Sequence, residues 1–150
     1  MPTALRLDTF LPYRLSIASN MVSGAIETTY RALFGLRIPE WRLVAMLAEG
    51  ELTQQALTRK TRMDKVTVSR AAIALAERGL VSRAPHPGDQ RSHLLALSAA
   101  GRALYEEVAP KALEMEARIF AGFAEAEVAA FRTMLARIEE AADALDGERG

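Results

Sequence analysis

Between residues 64 and 70 the chain reads Asp-Lys-Val-Thr-Val-Ser-Arg, and Arg83, Asp89 and Arg91 follow within about twenty residues. Lys65, Thr67, Ser69 and Arg70 are small, polar or cationic, so they can donate hydrogen bonds to base edges and offset phosphate charge. The charge distribution points the same way. The whole chain carries 19 basic and 19 acidic residues, but residues 52–93 hold eight basic and three acidic ones, and residues 106–150 hold five and eleven. Such segregation suggests one patch facing a polyanion, with the acidic end kept away from it.

Other chemistries are poorly supplied. With no cysteine in the sequence, a disulfide framework, a thiolate zinc site, a cysteine nucleophile and a thiol redox switch are excluded. The two histidines, His86 and His93, have only Asp89 nearby as a third ligand, too few for a zinc site in a turn. There is no glycine-rich phosphate loop and no nucleophile beside a plausible base. We therefore expect no enzyme activity, cofactor or metal. No stretch approaches the length of a membrane span, and the first residues (MPTALRLDTF) lack the basic and apolar regions of a signal peptide, so a cytoplasmic protein is expected.

The elements that must position these residues are marked by turn chemistry. Leu11, Leu15, Ala18, Val22, Ile26, Thr29 or Tyr30, and Leu33 trace one helical stripe from about 11 to 34, with Pro12 in the first turn and Gly35 after the last. A second helix is predicted from Pro39 to Gly50, with Trp41, Val44, Ala45 and Leu47 or Ala48 inward. Thr53 and Asp64 are N-cap residues for two short helices, Gln54 to about Thr61 and Lys65 to Arg78. Val68, Ala71, Ala72 and Leu75 form the buried stripe of the latter. Residues 80–83 and 91–97, around a Pro-His-Pro-Gly-Asp turn, read as a two-stranded hairpin and the only β-structure. Ser98 then caps a helix to about Ala121, bent at Pro110, and a last helix runs from about Glu125 to Leu145.

Two helices joined by a tight turn and followed by a basic hairpin form a winged helix-turn-helix. A helix fits the major groove, its N-terminal residues reach base edges, and a thin basic hairpin suits the neighbouring minor groove. The fold class is thus mainly α, with a two-stranded β wing and N- and C-terminal dimerisation helices. Leu5, Leu7, Phe10 and Leu11 at one end, with Phe131, Leu135 and Ile138 at the other, suit a helical bundle shared between two subunits; the alternative is that they cover each other within one chain. A single domain over 1–150 is expected, with a DNA-binding lobe at about 39–97 and dimerisation helices at about 5–35 and 99–146.

Residues 64–70, Leu75, the run Glu-Arg-Gly-Leu-Val-Ser-Arg (77–83), Asp-Gln-Arg (89–91) and Leu-Ser-Ala-Ala-Gly (97–101) closely resemble MarR-type transcription regulators. Ile-Pro-Glu-Trp-Arg-Leu-Val-Ala-Met-Leu (38–47) is also similar to the family's helix leading into the DNA-binding lobe. The resemblance implies a homodimer, joined by its first, fifth and sixth helices, that binds a pseudo-palindromic operator and is released by a small ligand. It makes Lys65 to Arg70 the major-groove reader. Asp89 and Arg91 match the family's wing pattern Asp-x-Arg, in which Arg91 approaches the minor groove or a phosphate and Asp89 orients it. A salt bridge that only shapes the hairpin is the alternative for that pair. Arg83, Thr53, Gln54 and Arg62 are candidate phosphate contacts, and His86 a residue of the wing tip near phosphate.

An effector cavity is expected around the first, second and fifth helices. Tyr13, Ile17, Asn20 and Gly24 fall on one helical line, Arg14 lies beside them, and Trp41 and Met46 come from the second helix. An apolar slot with one arginine suits an aromatic carboxylate or an acyl thioester. The opening run Leu-Pro-Tyr-Arg-Leu-Ser-Ile-Ala-Ser-Asn (11–20) is also similar to regulators of aromatic-acid degradation. Core packing is the competing role for Trp41 and Met46, and solvent or a dimer salt bridge for Arg14. The function expected is that of a ligand-responsive repressor on double-stranded DNA. The rival is a winged-helix protein-interaction module without specific DNA binding, which intact Lys65, Arg70 and Arg91 argue against.

Overall fold

Proline, glycine and short polar caps cut the chain into six α-helices and three strands in a computed structural model that describes residues 4–149, and the side chains of 4–88 and 93–148. A 3-10 turn at Leu7–Thr9 leads into α1 (Leu11–Phe34), which has proline in its first turn and ends where Gly35 takes a left-handed φ of 62°. In the first turn of helix α2 (Ile38–Leu47), Glu40 reaches back to accept the Arg37 backbone N–H at 2.9 Å. Strand β1 (Leu52–Thr53) precedes α3 (Gln54–Thr61), and α4 (Lys65–Glu77) follows a turn containing Arg62 at φ 61°. The wing strands are β2 (Val81–His86) and β3 (Asp89–Leu97), after which come α5 (Ala99–Ile119) and α6 (Glu125–Arg149).

The sheet has three antiparallel strands in the order β1-β3-β2, not the two expected. Leu52 pairs with Leu95 and Thr53 with Leu94. The third strand was hidden because two residues are too few for a period-2 pattern, and Thr53 announces itself only as a helix cap. The hairpin is also longer than expected. Its strands run to His86 and from Asp89, so only Pro87 and Gly88 turn, and the register shifts between Pro85 and His86.

The chain divides into two compact units, residues 1–112 and 113–150. In the first, Leu43, Val44, Leu47, Leu57, Val68, Leu75 and Leu95 are buried to 2% exposure or less. Leu43 is an addition to the predicted inward face of α2, while Trp41 and Ala45 are only half-buried. The four residues expected to bury the α4 stripe, Val68, Ala71, Ala72 and Leu75, all do so. The start of α5 is held tightly against the wing's base. Ser98 Oγ donates to the Gly79 carbonyl at 2.6 Å and accepts the Gly101 N–H at 3.0 Å. In the second unit Phe120 meets Phe123 and Phe131 at ring distances of 5.7 and 6.3 Å.

Candidate nucleic-acid interface

Two caps aim α3 and α4. Thr53 Oγ1 accepts the Ala56 N–H at 3.1 Å. Asp64 accepts the Thr67 N–H at 2.7 Å and the Thr67 hydroxyl at 3.0 Å. Those Thr67 bonds, backbone first and then side chain, hold the Asp64 carboxyl below its ordinary value, because they favour its charged form. With the buried faces of both helices turned to the core, their polar residues are left along a shared open groove of about 520 Å³. From α4 it is lined by Lys65, Val66, Ser69 and Arg70, from α3 by Gln54, Gln55 and Thr58, and from β3 by His93.

Of the residues expected to meet DNA, Lys65, Ser69, Arg70 and Gln54 are thus together in one groove. Thr67 is half-buried, and its hydroxyl is engaged by the Asp64 cap. Thr53 serves as the α3 cap, and Arg62 is exposed on the turn between the two helices. Arg83 reaches toward α3: its Nε donates to Gln54 Oε1 at 3.3 Å, and Nη2 lies 3.4 Å from His93 Nδ1. The side chains of Asp89 and Arg91 lie outside the described residues. At the wing tip, His86 Nδ1 accepts the Gly88 N–H at 3.0 Å, which stiffens the turn. Gln55, Thr58 and His93 were not singled out as contacts in the sequence. Period-2 alternation carries the signal for His93, which shares a strand face with buried Leu95 and so faces the helices.

The residues expected around an effector are distributed differently. Tyr13 and Ile17 are about 40% exposed, and Arg14 and Asn20 are exposed on the same helix. Arg14 Nη1 donates to the Asp8 carbonyl at 3.2 Å, tying the preceding turn to α1. Trp41 lies between two tyrosines, edge-on to Tyr30 at 5.5 Å and stacked on Tyr105 at 6.0 Å, while Met46 is half-buried. Burial raises the pKa of the Tyr30 hydroxyl. Tyr105, from α5, is the partner the sequence reading missed. Among the described residues there is no group of three or more His, Asp or Glu able to hold a metal, and no helix long and apolar enough to cross a membrane.

A capped helix pair, a groove lined by basic and polar side chains, and an antiparallel wing define a winged helix-turn-helix protein. Residues 34–92 match the sequence profile of the MarR family. An uncharacterised HTH-type transcriptional regulator of Mycobacterium bovis is 37% identical over 62 residues, which are 41% of this chain and 43% of that protein's length. The chain therefore matches less than half the length of that curated relative. Solved structures align over far more. A probable transcriptional regulator from Pseudomonas aeruginosa is 32% identical with a TM-score of 0.78, over 89% of this chain and 99% of that one. A MarR/EmrR family transcriptional regulator from Acinetobacter sp. ADP1 is 25% identical with a TM-score of 0.85, over 93% and 99%. CouR from Rhodococcus jostii RHA1, solved bound to p-coumaroyl-CoA, is 26% identical with a TM-score of 0.78, over 90% and 95%. The chain belongs to the MarR family.

Proposed function

We propose that this protein is a homodimeric, ligand-responsive transcription regulator of the cytoplasm, a repressor that reads a pseudo-palindromic DNA operator. The observation that carries the reading is the groove in which Lys65, Ser69 and Arg70 stand with Gln54, inside the one strongly basic segment of the chain. Cations there release counterions from DNA, and short donors at the start of α4 read base edges. Thr53, Thr67 and Asp64 serve DNA by aiming the two helices, and Arg62, Asp89 and Arg91 act at the backbone and wing. Residues 39–97 form the reading lobe of a single functional domain over 1–150, and residues 5–35 and 99–146 supply the contacts between subunits. Large apolar side chains left exposed on both units support pairing, among them Leu7, Phe10, Leu11 and Met21 on one and Phe131, Met134 and Ile138 on the other.

The effector is an aromatic carboxylate or an acyl thioester. Tyr13, Arg14, Ile17 and Asn20 offer an apolar line with polar groups along α1, and Trp41, packed on Tyr30 further along that helix, and Met46 of α2 complete the proposed set. CouR, with p-coumaroyl-CoA bound, supports that chemical class. The protein has a single tryptophan, so its emission reports on this site directly. Hydroxyl-radical footprinting on the intergenic segment beside the protein's own gene tests the DNA reading. Two protected patches about one helical turn apart are expected, and p-coumaroyl-CoA or p-coumarate should erase them while shifting Trp41 emission. A featureless footprint, together with capture of a protein partner by the apolar surface, would favour the interaction module.

A further inference from the structure

We propose that His93 donates a hydrogen bond to a DNA backbone phosphate, and that Arg83 is the positioning residue that fixes its ring. The inference deepens the DNA-reading function proposed above and rests on it. The β2–β3 register pairs Arg83 with Leu95 and Pro85 with His93, so Arg83 and His93 are diagonal neighbours across the hairpin. Such neighbours lie within reach of long side chains. The Arg83 guanidinium bridges the space between wing and helix pair, with Nε on Gln54 Oε1 and Nη2 on His93 Nδ1.

A guanidinium carries only donors, so Nδ1 must be the acceptor, and the neutral imidazole then holds its proton on Nε2. His93 lines the groove beside Lys65 and Arg70. It therefore presents a short, stiff N–H donor where the charged side chains lining the groove are cations and an anion is the matching ligand. Lys65 and Arg70 bring charge on flexible stems, whereas the Arg83 bond holds the imidazole in one tautomer and one orientation. Half-buried Arg83 spends its bonds on Gln54 and His93, which makes it a brace between α3 and the wing.

Asn and Gln separate the two ring nitrogens. Asn at 93 retains an acceptor near the Nδ1 position for Arg83 but lacks the far donor, and Gln places an amide N–H near the Nε2 position. His93→Ala, His93→Asn and His93→Gln would be titrated by fluorescence anisotropy against the intergenic duplex and a scrambled duplex, with urea unfolding run alongside. His93→Ala should weaken binding about 5- to 30-fold, and by the same factor on both probes, as expected for one lost phosphate hydrogen bond. His93→Gln should recover to within about threefold of the wild type, and His93→Asn should stay as weak as His93→Ala. In the free wild-type protein, nitrogen NMR of the imidazole should find the Nε2–H tautomer, a readout that needs no variant to fold.

Rescue by Asn and not by Gln would overturn the proposal, since the ring would then serve only Arg83. A loss confined to the intergenic probe would overturn the phosphate assignment, and an Nδ1–H tautomer would overturn the role of Arg83. Unchanged affinity in His93→Ala, with the wild type binding DNA, defeats this inference alone. A wild type that binds neither duplex defeats the DNA-reading function and the inference with it.

Discussion

Gly101→Ala places two opposing effects on one atom. Gly101 sits in the first turn of α5, buried, with its N–H on the Ser98 hydroxyl. In an open helical site, alanine would gain about 1 kcal/mol over glycine from backbone entropy. Here the added methyl would run into the backbone carbonyl of Leu80 and come within 3.1 Å of Leu97 Cδ2. The carbonyl cannot swing aside, because it accepts the Ser98 N–H at 3.0 Å. Forcing a methyl into a packed site costs about 1–3 kcal/mol, and a collision with fixed backbone falls at the upper end. The net expectation is a loss of about 1–2 kcal/mol after the propensity gain is subtracted. Urea unfolding at fixed protomer concentration measures it, since association alters apparent stability. Gly147→Ala, where nothing lies within 4 Å, should leave stability unchanged or raise it by up to about 1 kcal/mol. If Gly101→Ala is as stable as the wild type, the account of how α5 joins the wing is wrong.

Three further perturbations follow from the caps and clamps. Thr53→Ala removes the side-chain acceptor of the Ala56 N–H, so stability should fall by about 1 kcal/mol, with faster amide exchange at Ala56. Arg78→Ala removes two 3.2 Å hydrogen bonds to the carbonyls of Phe34 and Gly35, which tie the end of α4 to the end of α1. That loss should be about 1 kcal/mol in urea unfolding, because the side chain is exposed. The Asp64 carboxyl titrates below its unfolded value, so its contribution is fully present above the unfolded pKa of about 4 and is lost as pH falls through the folded one. The stability gap between wild type and Asp64→Ala should therefore shrink on acidification below about pH 4, and a gap constant with pH contradicts the cap's charge assignment.

Much of the helical layout was legible in the sequence because its signals are local. Pro12 and Gly35 bracket α1, and the helix runs Leu11–Phe34; Asp64 caps α4, and its four core residues follow at helical spacing. What was not legible depends on contacts between distant residues. The short β1 strand exists only because β3 arrives beside it, and Leu43 joins the core because α2 packs on more than one side. Tyr105 is some sixty residues from Trp41, and only folding stacks them. In the groove, Lys65, Ser69 and Arg70 could be read from one helix, whereas the Gln54–Arg83–His93 chain spans α3, β2 and β3. Thr67 shows the converse, since its polarity suits a base edge and its hydroxyl is taken by the cap.

Salt-dependent DNA binding tests the DNA-reading role of the α3–α4 groove. The wild-type protein would be titrated by fluorescence anisotropy against the intergenic duplex and a scrambled one, at about 50 and 200 mM salt. Binding to the intergenic duplex should be the tighter, weakening with salt by a log–log slope of about −0.9 for each phosphate neutralised. Arg70→Ala should lose about 1–3 kcal/mol on that duplex alone if it touches a base, and equally on both if it touches phosphate. No binding to either duplex, even at low salt, would rule out that role.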